Sequence, residues 1–408
     1  VETQLTSLRS SSSETVQNQA AGDDVVARIR ELAPLLRRNA TQGEQDRRVA
    51  PESIAALQQA GAFRIAVPRR HGGLESSLRG LLDVSAAVAE ADGGTSWVVT
   101  LSNVNAWAAS LFPGPAIDEV FADGPDTILS GVVTPSGTAH KVDGGYRVSG
   151  TWAYASASLH SSWAACGVLV QDENGETVDQ AMVMIPRADY RVEDTWHVAG
   201  MRASGSNTIV AADVFVPEHR VLSVVAGATG ANVADHPESP SYRSAVAPML
   251  VMVLVGPQLG MARAALDLVL ATAPSKALAY TTFTRQADSV AFQLLVAEAA
   301  LTIDTAHLHA YRAADDVQRY AVRGEFPDLT ARARIRGDAA IALRSVNKAL
   351  NILLDANGAG SFAEVNALQR IWRDSNVAAR HAFILPQVSL ETYGKALLGV
   401  TEHIAAIV

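Results

Sequence analysis

The spacing of apolar residues changes twice along this chain, and that change constrains the fold more than any other feature. From about Asp23 to Phe112 the repeat is helical. Val25, Val26, Ile29, Leu32, Leu35 and Leu36 fall on one face, with Asp23 and Asp24 as cap candidates. Pro51 and Glu52 open a second helix that stops at Gly61. After "FRIAVPRRHGG", Leu78, Leu81, Leu82, Ser85 and Val88 start a third helix, and Thr95 to Leu111 form a fourth. From about Asp126 to Val221 the repeat becomes that of strands: "HKVDGGYRVSGTWAYAS" alternates around a Gly144–Gly145 turn, and "TIVAADVFVP" ends at Pro217. Beyond Tyr242 the helical repeat returns, with long runs over Ser289–Val322 and Leu329–Asn357 that predict a bundle.

This order predicts an α+β fold that is mainly α. A flexible leader is expected over 1–22, an N-terminal helical domain over 23–125, a middle β domain over 126–225 and a helical bundle over 226–408. The net charge of −9 offers no basic footprint for nucleic acid. A single cysteine, Cys166, excludes an internal disulfide framework and fits a reducing, cytoplasmic compartment. The most apolar window, Val246 to Val255, is about half the length that a membrane span requires, so no membrane association is expected. No GxGxxG follows a strand, and neither GxxxxGKS nor HExxH occurs. Any redox chemistry must therefore obtain its electrons other than through a nicotinamide domain of this chain.

Four segments, in order, resemble the acyl-CoA dehydrogenase superfamily and within it the flavin monooxygenase branch. They are "LQQAGAFRIAVPRRHGGLE" with "AEADGGTSWVVTL", then "VSGTWAYASASLHSSWAACG", then "DTWHVAGMRASGSNTIVAADVFVPEHRV", and finally "LQRIWRDSNVAARHAFILPQ". The resemblance implies an N-terminal helical domain, a middle β-barrel-like domain and a C-terminal four-helix bundle. It also implies a homotetramer with flavin sites at subunit contacts. Dehydrogenases of the superfamily commonly carry a catalytic glutamate shortly after an Arg-Asp pair. Here Arg373–Asp374 is followed by "SNVAARHAF", with His381 in about that place and no carboxylate before Glu391.

The implied activity is that of the oxygenase component of a two-component monooxygenase. Reduced FAD or FMN would come from a separate flavin reductase, and O2 would be the co-substrate. A C4a-hydroperoxyflavin would hydroxylate a small molecule, an aromatic or fused-ring natural-product intermediate. N-oxygenation of a nucleotide-linked amino sugar and acyl-CoA dehydrogenation are the alternatives.

The resemblance also assigns candidate residues. His381, with a pKa expected near neutrality, would donate to the peroxide; otherwise it caps carbonyls or pairs with a carboxylate. Ser156 matches the serine that faces flavin N5, with Ser158 as a second candidate; otherwise it satisfies a turn. A glycine usually follows this serine, whereas here Ala157 does. Trp152 and Trp196 would wall the isoalloxazine or else pack the core, and His160 and Trp163 would line the same area or else sit at a hydrated strand end. Arg202, Ser204 and Ser206 of "RASGSN" would approach the ribityl and phosphate groups, or form an ordinary turn. Arg285 would contact phosphate across a subunit boundary, or else be a solvated arginine. The "NGAGS" loop at Asn357–Ser361 would pass near the cofactor's far end, or simply join two helices. Where phenol hydroxylases often have a histidine, Asn103 and Asn105 stand, and Asn105 can orient a substrate but not deprotonate it.

Overall fold

In the computed structural model the described residues are 2–225, 229–232, 239–402, 404–405 and 408, with side chains from Gly22 onward. Helix α1 runs Glu2–Asp46. The segment expected as a leader falls in its first half, where the side chains lie outside the described residues. Helix α2, Pro51–Ala60, begins on its proline and ends on a left-handed Gly61 with φ 85°, as the sequence predicts. Helix α3, Leu78–Ala89, is capped by Ser77, whose side chain accepts from Gly80 N. Helix α4, Gly93–Ala109, is capped by Asp92, whose Oδ2 accepts from Thr95 N at 2.8 Å and Thr95 Oγ1 at 2.7 Å. A short helix α5, Gly114–Val120, precedes the sheet.

Seven strands form one sheet in the order β5-β6-β2-β1-β3-β4-β7. They are β1 Leu129–Val142, β2 Gly145–Ala155, β3 Trp163–Gln171, β4 Thr177–Pro186, β5 Arg191–Glu193, β6 Asn207–Pro217 and β7 Val221–Ser223. The β1–β2 hairpin closes with Val142 opposite Gly145, and β1 also pairs in parallel with β3. One face encloses Val148, Trp152, Cys166, Val168, Val183 and Ile209. A second apolar layer, with Phe112, Ile117, Phe121, Leu129 and Met184, joins the sheet to α4 and α5.

The chain then returns to helices: α6 Val246–Met252, α7 Gly256–Thr272, α8 Val290–Arg323, α9 Leu329–Asn357, α10 Ala367–Ala378 and α11 Pro386–Leu397. Ser289 and Asp328 cap the two long helices, and Gly324 ends α8 in a left-handed conformation with φ 66°. The N-terminal helices and this bundle share one continuous core, from Val25 and Leu57 through Leu82 and Met252 to Leu343 and Leu353.

The structure corrects one expectation here. The apolar window does not end at Val255, because a short 3-10 turn at Val253–Val255 carries α6 straight into α7. The resulting stretch, Val246–Thr272, is long and apolar enough to cross a membrane by length and composition, yet 89% of its most apolar window is buried within the fold. It is a central core helix, and its hydrophobicity serves packing.

Candidate active site

The site grows from the end of β2. Pairing with β6 slips between Trp152 and Ala155, and Tyr154 and Ala157 take left-handed φ values of 63° and 66°. The slip turns Ser156 away from the ladder and buries it. Its Oγ accepts the indole N–H of Trp97, from α4, at 3.1 Å. The same oxygen is hydrogen-bonded to Ser206 Oγ at 2.7 Å, and Ser206 Oγ to Ser204 Oγ at 2.7 Å, with either hydroxyl of each pair able to donate. Ser130 Oγ on β1 donates to Ser156 O at 2.7 Å and fixes the backbone. The left-handed Ala157 supplies the reason why glycine suits that position.

Trp97 also reaches His381, with ring centroids 6.0 Å apart. His381 follows α10, and its Nδ1 accepts from Phe383 N at 3.3 Å. A backbone N–H only donates, so the imidazole proton sits on Nε2. Burial pushes the ring's pKa down to about 4. This corrects the expectation of near-neutral titration: at pH 7 His381 is an uncharged N–H donor.

Other candidates separate. Trp196 is buried, gives Nε1–H to Met201 O at 2.9 Å, and meets the exposed ring of Tyr154 edge-on at 5.9 Å. Ser158 Oγ is spent on Gly205 O at 3.1 Å, inside the turn. Arg202 ties that turn to Glu44 O of α1 and to Val198 O, both at 3.0 Å.

Trp152 lies instead in the sheet core, fully buried, with Nε1 donating to Gly167 O at 2.7 Å. Its indole fills the space over Gly137 and Gly150, where an added Cβ would stand 2.5 Å and 2.4 Å from the ring. It is core packing, set by the inward register of β2. His160 is half-buried with Nε2 unpartnered, and burial followed by Arg48 lowers its pKa to about 4. Trp163 sits under the Arg220 guanidinium at 4.9 Å and packs against the apolar layer that includes Ile117 of α5.

Asn103 is structural: Oδ1 accepts from Ile65 N and Ala66 N, while Nδ2 donates to Ala62 O and Val99 O. Asn105 gives Nδ2 to its own Leu101 O at 2.8 Å and packs against Gly131, where a Cβ would stand 2.0 Å from Oδ1. Arg285 is exposed and pairs with Asp288 at 2.7 Å, which raises the guanidinium pKa. Its loop is tied to "NGAGS": Gln286 N donates to Lys276 O, and Lys276 Nζ reaches Asn357 O at 2.5 Å and Oδ1 at 2.7 Å.

Sequence reasoning missed Trp97, although "ADGGTSW" contains it, and it missed the use of that motif's glycines. A Cβ on Gly94 would stand 2.9 Å from that of Ala203, and one on Gly93 would meet Met261 Sδ at 2.5 Å. These glycines let the serine turn and the bundle close on the N-terminus of α4. Glu391, the first carboxylate after Asp374, is exposed on α11 and offers no base here.

The set fits a flavin. Neutral hydroxyls of open donor and acceptor polarity can serve a ring nitrogen in either hydrogen state, and the Trp196 indole offers an aromatic wall.

The fold and site define a protein of acyl-CoA dehydrogenase architecture, and residues 252–386 match the family "Acyl-CoA dehydrogenase, C-terminal domain". The chain is similar to the flavin-dependent monooxygenase oxygenase subunit HsaA of Rhodococcus jostii (strain RHA1), at 33% identity over 91% of this chain and 98% of that one. It is similar to the oxygenase component of the FADH(2)-dependent resorcinol hydroxylase of Rhizobium sp. (strain MTP-10005), at 31% identity over 92% and 94%. The structure of XiaF from Streptomyces sp., in complex with FADH2 and glycerol, superposes with a TM-score of 0.93 at 37% identity, covering 96% and 99%. The chain therefore belongs to the oxygenase components of the two-component flavin-dependent monooxygenases. It is an enzyme that works with reduced flavin and O2, and its partner is a reductase component that supplies the flavin.

Proposed function

We propose that the protein hydroxylates an aromatic or fused-ring small molecule and that Ser156 and His381 keep the reaction coupled. The carrying observation is that Trp97 bridges these two residues, one from the β side and one from the helical side. The resorcinol hydroxylase relative supports an aromatic substrate.

Reduced flavin, when bound, supplies the electrons that activate O2. Ser156 Oγ, held by Trp97 and Ser206, would accept a hydrogen bond from flavin N5–H or donate one to N5, while Nε2–H of His381 would donate to the oxygen that carries developing negative charge. Trp196 walls the ring, and the Ser204–Ser206 turn approaches the ribityl chain. Asn105 orients the substrate, and Arg285, with the Lys276–Asn357 loop, takes phosphate of a flavin held mainly by a second copy. The assembly is a homotetramer, and the compartment is cytoplasmic. Helix α8 exposes Val290, Leu294, Leu301 and Leu308, each more than 60% exposed, at spacings that place them along one side. An apolar stripe of this kind is an interface for another copy.

The test supplies chemically reduced FAD or FMN, ¹⁸O2 and a panel of phenols and fused-ring phenols. Hydroxylated product carrying one ¹⁸O atom is expected, with NADH inert unless a reductase is added. Dehydrogenation of an acyl-CoA thioester by the oxidised-flavin form, with no labelled product from any aromatic compound, contradicts the reading.

A further inference from the structure

The turn that carries Ser204 and Ser206 is gripped from the bundle side. Between β5 and β6 the backbone leaves the ladder, and Met201 takes a left-handed φ of 55°, a conformation that non-glycine residues hold only when neighbours fix it. Met201 N donates to Asp374 Oδ1 at 2.5 Å, and Met201 O accepts the Trp196 indole N–H. Gly200 lies against α10 so closely that a Cβ there would stand 2.4 Å from Arg373 O. Arg373 donates to Ala199 O and pairs with Glu44 of α1 at 2.6 Å. Asp374 is buried, and its helix ends at Ala378, three residues before His381.

We infer that Asp374 is a positioning residue that sets the gap between the two halves of the site. Its bond to Met201 N joins the serine turn to the helix whose continuation places His381. This rests on the roles proposed above for Ser156 and His381.

The charge state of Asp374 gives the stability of this contact region a pH dependence. Asp92, at the N-terminus of α4, faces it with Oδ2 already committed to Thr95. Arg370 stands 4.0 Å from Asp92, and Arg373 is turned to Glu44. From α7, Met261 and Gln258 bring no charge. Burial first, then Asp92, push the Asp374 carboxyl up to about 7, against the opposing pull of the Met201 N–H, Arg373 and Arg370. A protonated carboxyl still accepts from Met201 N, and it avoids a second buried negative charge beside Asp92. A raised acid stabilises the fold below its ordinary carboxylate pKa, and that stability is lost as pH rises through about 7.

The experiment compares wild type with Asp374→Asn and Asp374→Ala. The readouts are flavin-free melting curves from pH 5 to 8.5, amide hydrogen exchange over 198–206, and product formed per reduced flavin oxidised. Relative to the Asn variant, wild type is expected to lose melting temperature progressively as pH rises, and its product yield is expected to decline over the upper part of that range. The Asn variant, which keeps the acceptor and loses the titration, should hold wild-type exchange and a flatter yield. The Ala variant should exchange the 198–206 amides at least tenfold faster and lower product yield several-fold. Identical pH curves for wild type and Asn overturn the inference, as does a folded Ala variant with unchanged exchange. If Ala does not fold, the Asn comparison still decides. Should wild type itself form no oxygenated product, the proposed function fails, while the melting and exchange measurements still read the role of Asp374.

Discussion

Trp97 donates its indole N–H to Ser156 Oγ at 3.1 Å, so the candidate N5-facing hydroxyl is held by the same side chain whose ring lies 6.0 Å from that of His381. A hydroxyl fixed by one donor keeps one proton and one lone pair free for its other partners. Trp97→Phe keeps the ring and removes the donor. A net hydrogen bond of about 1 kcal/mol is lost, so a several-fold rise in hydrogen peroxide per product formed is expected, with melting temperature little changed. Unaltered partition shows that Ser156 is held well enough by Ser206 alone.

His381 should remain neutral across the working range. Its folded pKa, lowered to about 4, lies below the ordinary histidine value, so the unfolded chain binds the extra proton first. Stability tied to this ring is therefore full above the ordinary value and falls as pH drops through about 4. Imidazole ¹⁵N shifts should report an Nε2–H tautomer at pH 6, and titration near 6.5 contradicts the burial argument.

Ala157 carries a methyl group at φ 66°, where an L-residue costs roughly 1–2 kcal/mol. Ala157→Gly relieves that strain and loses a small buried contact, so its unfolding free energy should stay within about 1 kcal/mol of wild type. Ala157→Val adds a β-branch in the same conformation and should destabilise by more than about 2 kcal/mol. Equal stability of the two variants argues against the left-handed turn.

Assembly tests the exposed stripe on α8. Light scattering should give about four times the 43.0 kDa chain mass, and Leu301→Glu should dissociate it. Arg285→Ala should weaken reduced-flavin binding by about tenfold, the worth of a charge-assisted phosphate contact, while leaving product yield at saturating flavin unchanged. A monomeric wild type with full flavin affinity removes the shared-site arrangement.

Much of this architecture was legible because local chemistry and tertiary packing agree. Pro51 and Gly61 mark helix ends by their own conformational preferences, and Gly144–Gly145 marks a hairpin. Ser156, Ser204 and Ser206 were named from separate segments, and the structure brings them into one cluster. What failed depends on register or long-range partners. Trp152 points inward because it is still paired with Ile209, between one slip at Val148–Gly150 and a second after it, and a slip in strand pairing leaves no periodic trace in the sequence. Arg202 is committed to Glu44 O, a partner far away in the chain. The pKa of His381 followed the ordinary histidine value until its burial was known.

The most direct measurement is the partition of reduced flavin between product and hydrogen peroxide in His381→Ala, under matched flavin supply and with circular dichroism as the folding control. Loss of one preorganised donor to a developing oxyanion costs about 3–4 kcal/mol at the chemical step. Oxygen consumption should therefore persist, with reduced-flavin affinity nearly unchanged and peroxide as the main outcome. A folded His381→Ala variant that forms product as efficiently as wild type would show that His381 only caps the turn at Phe383.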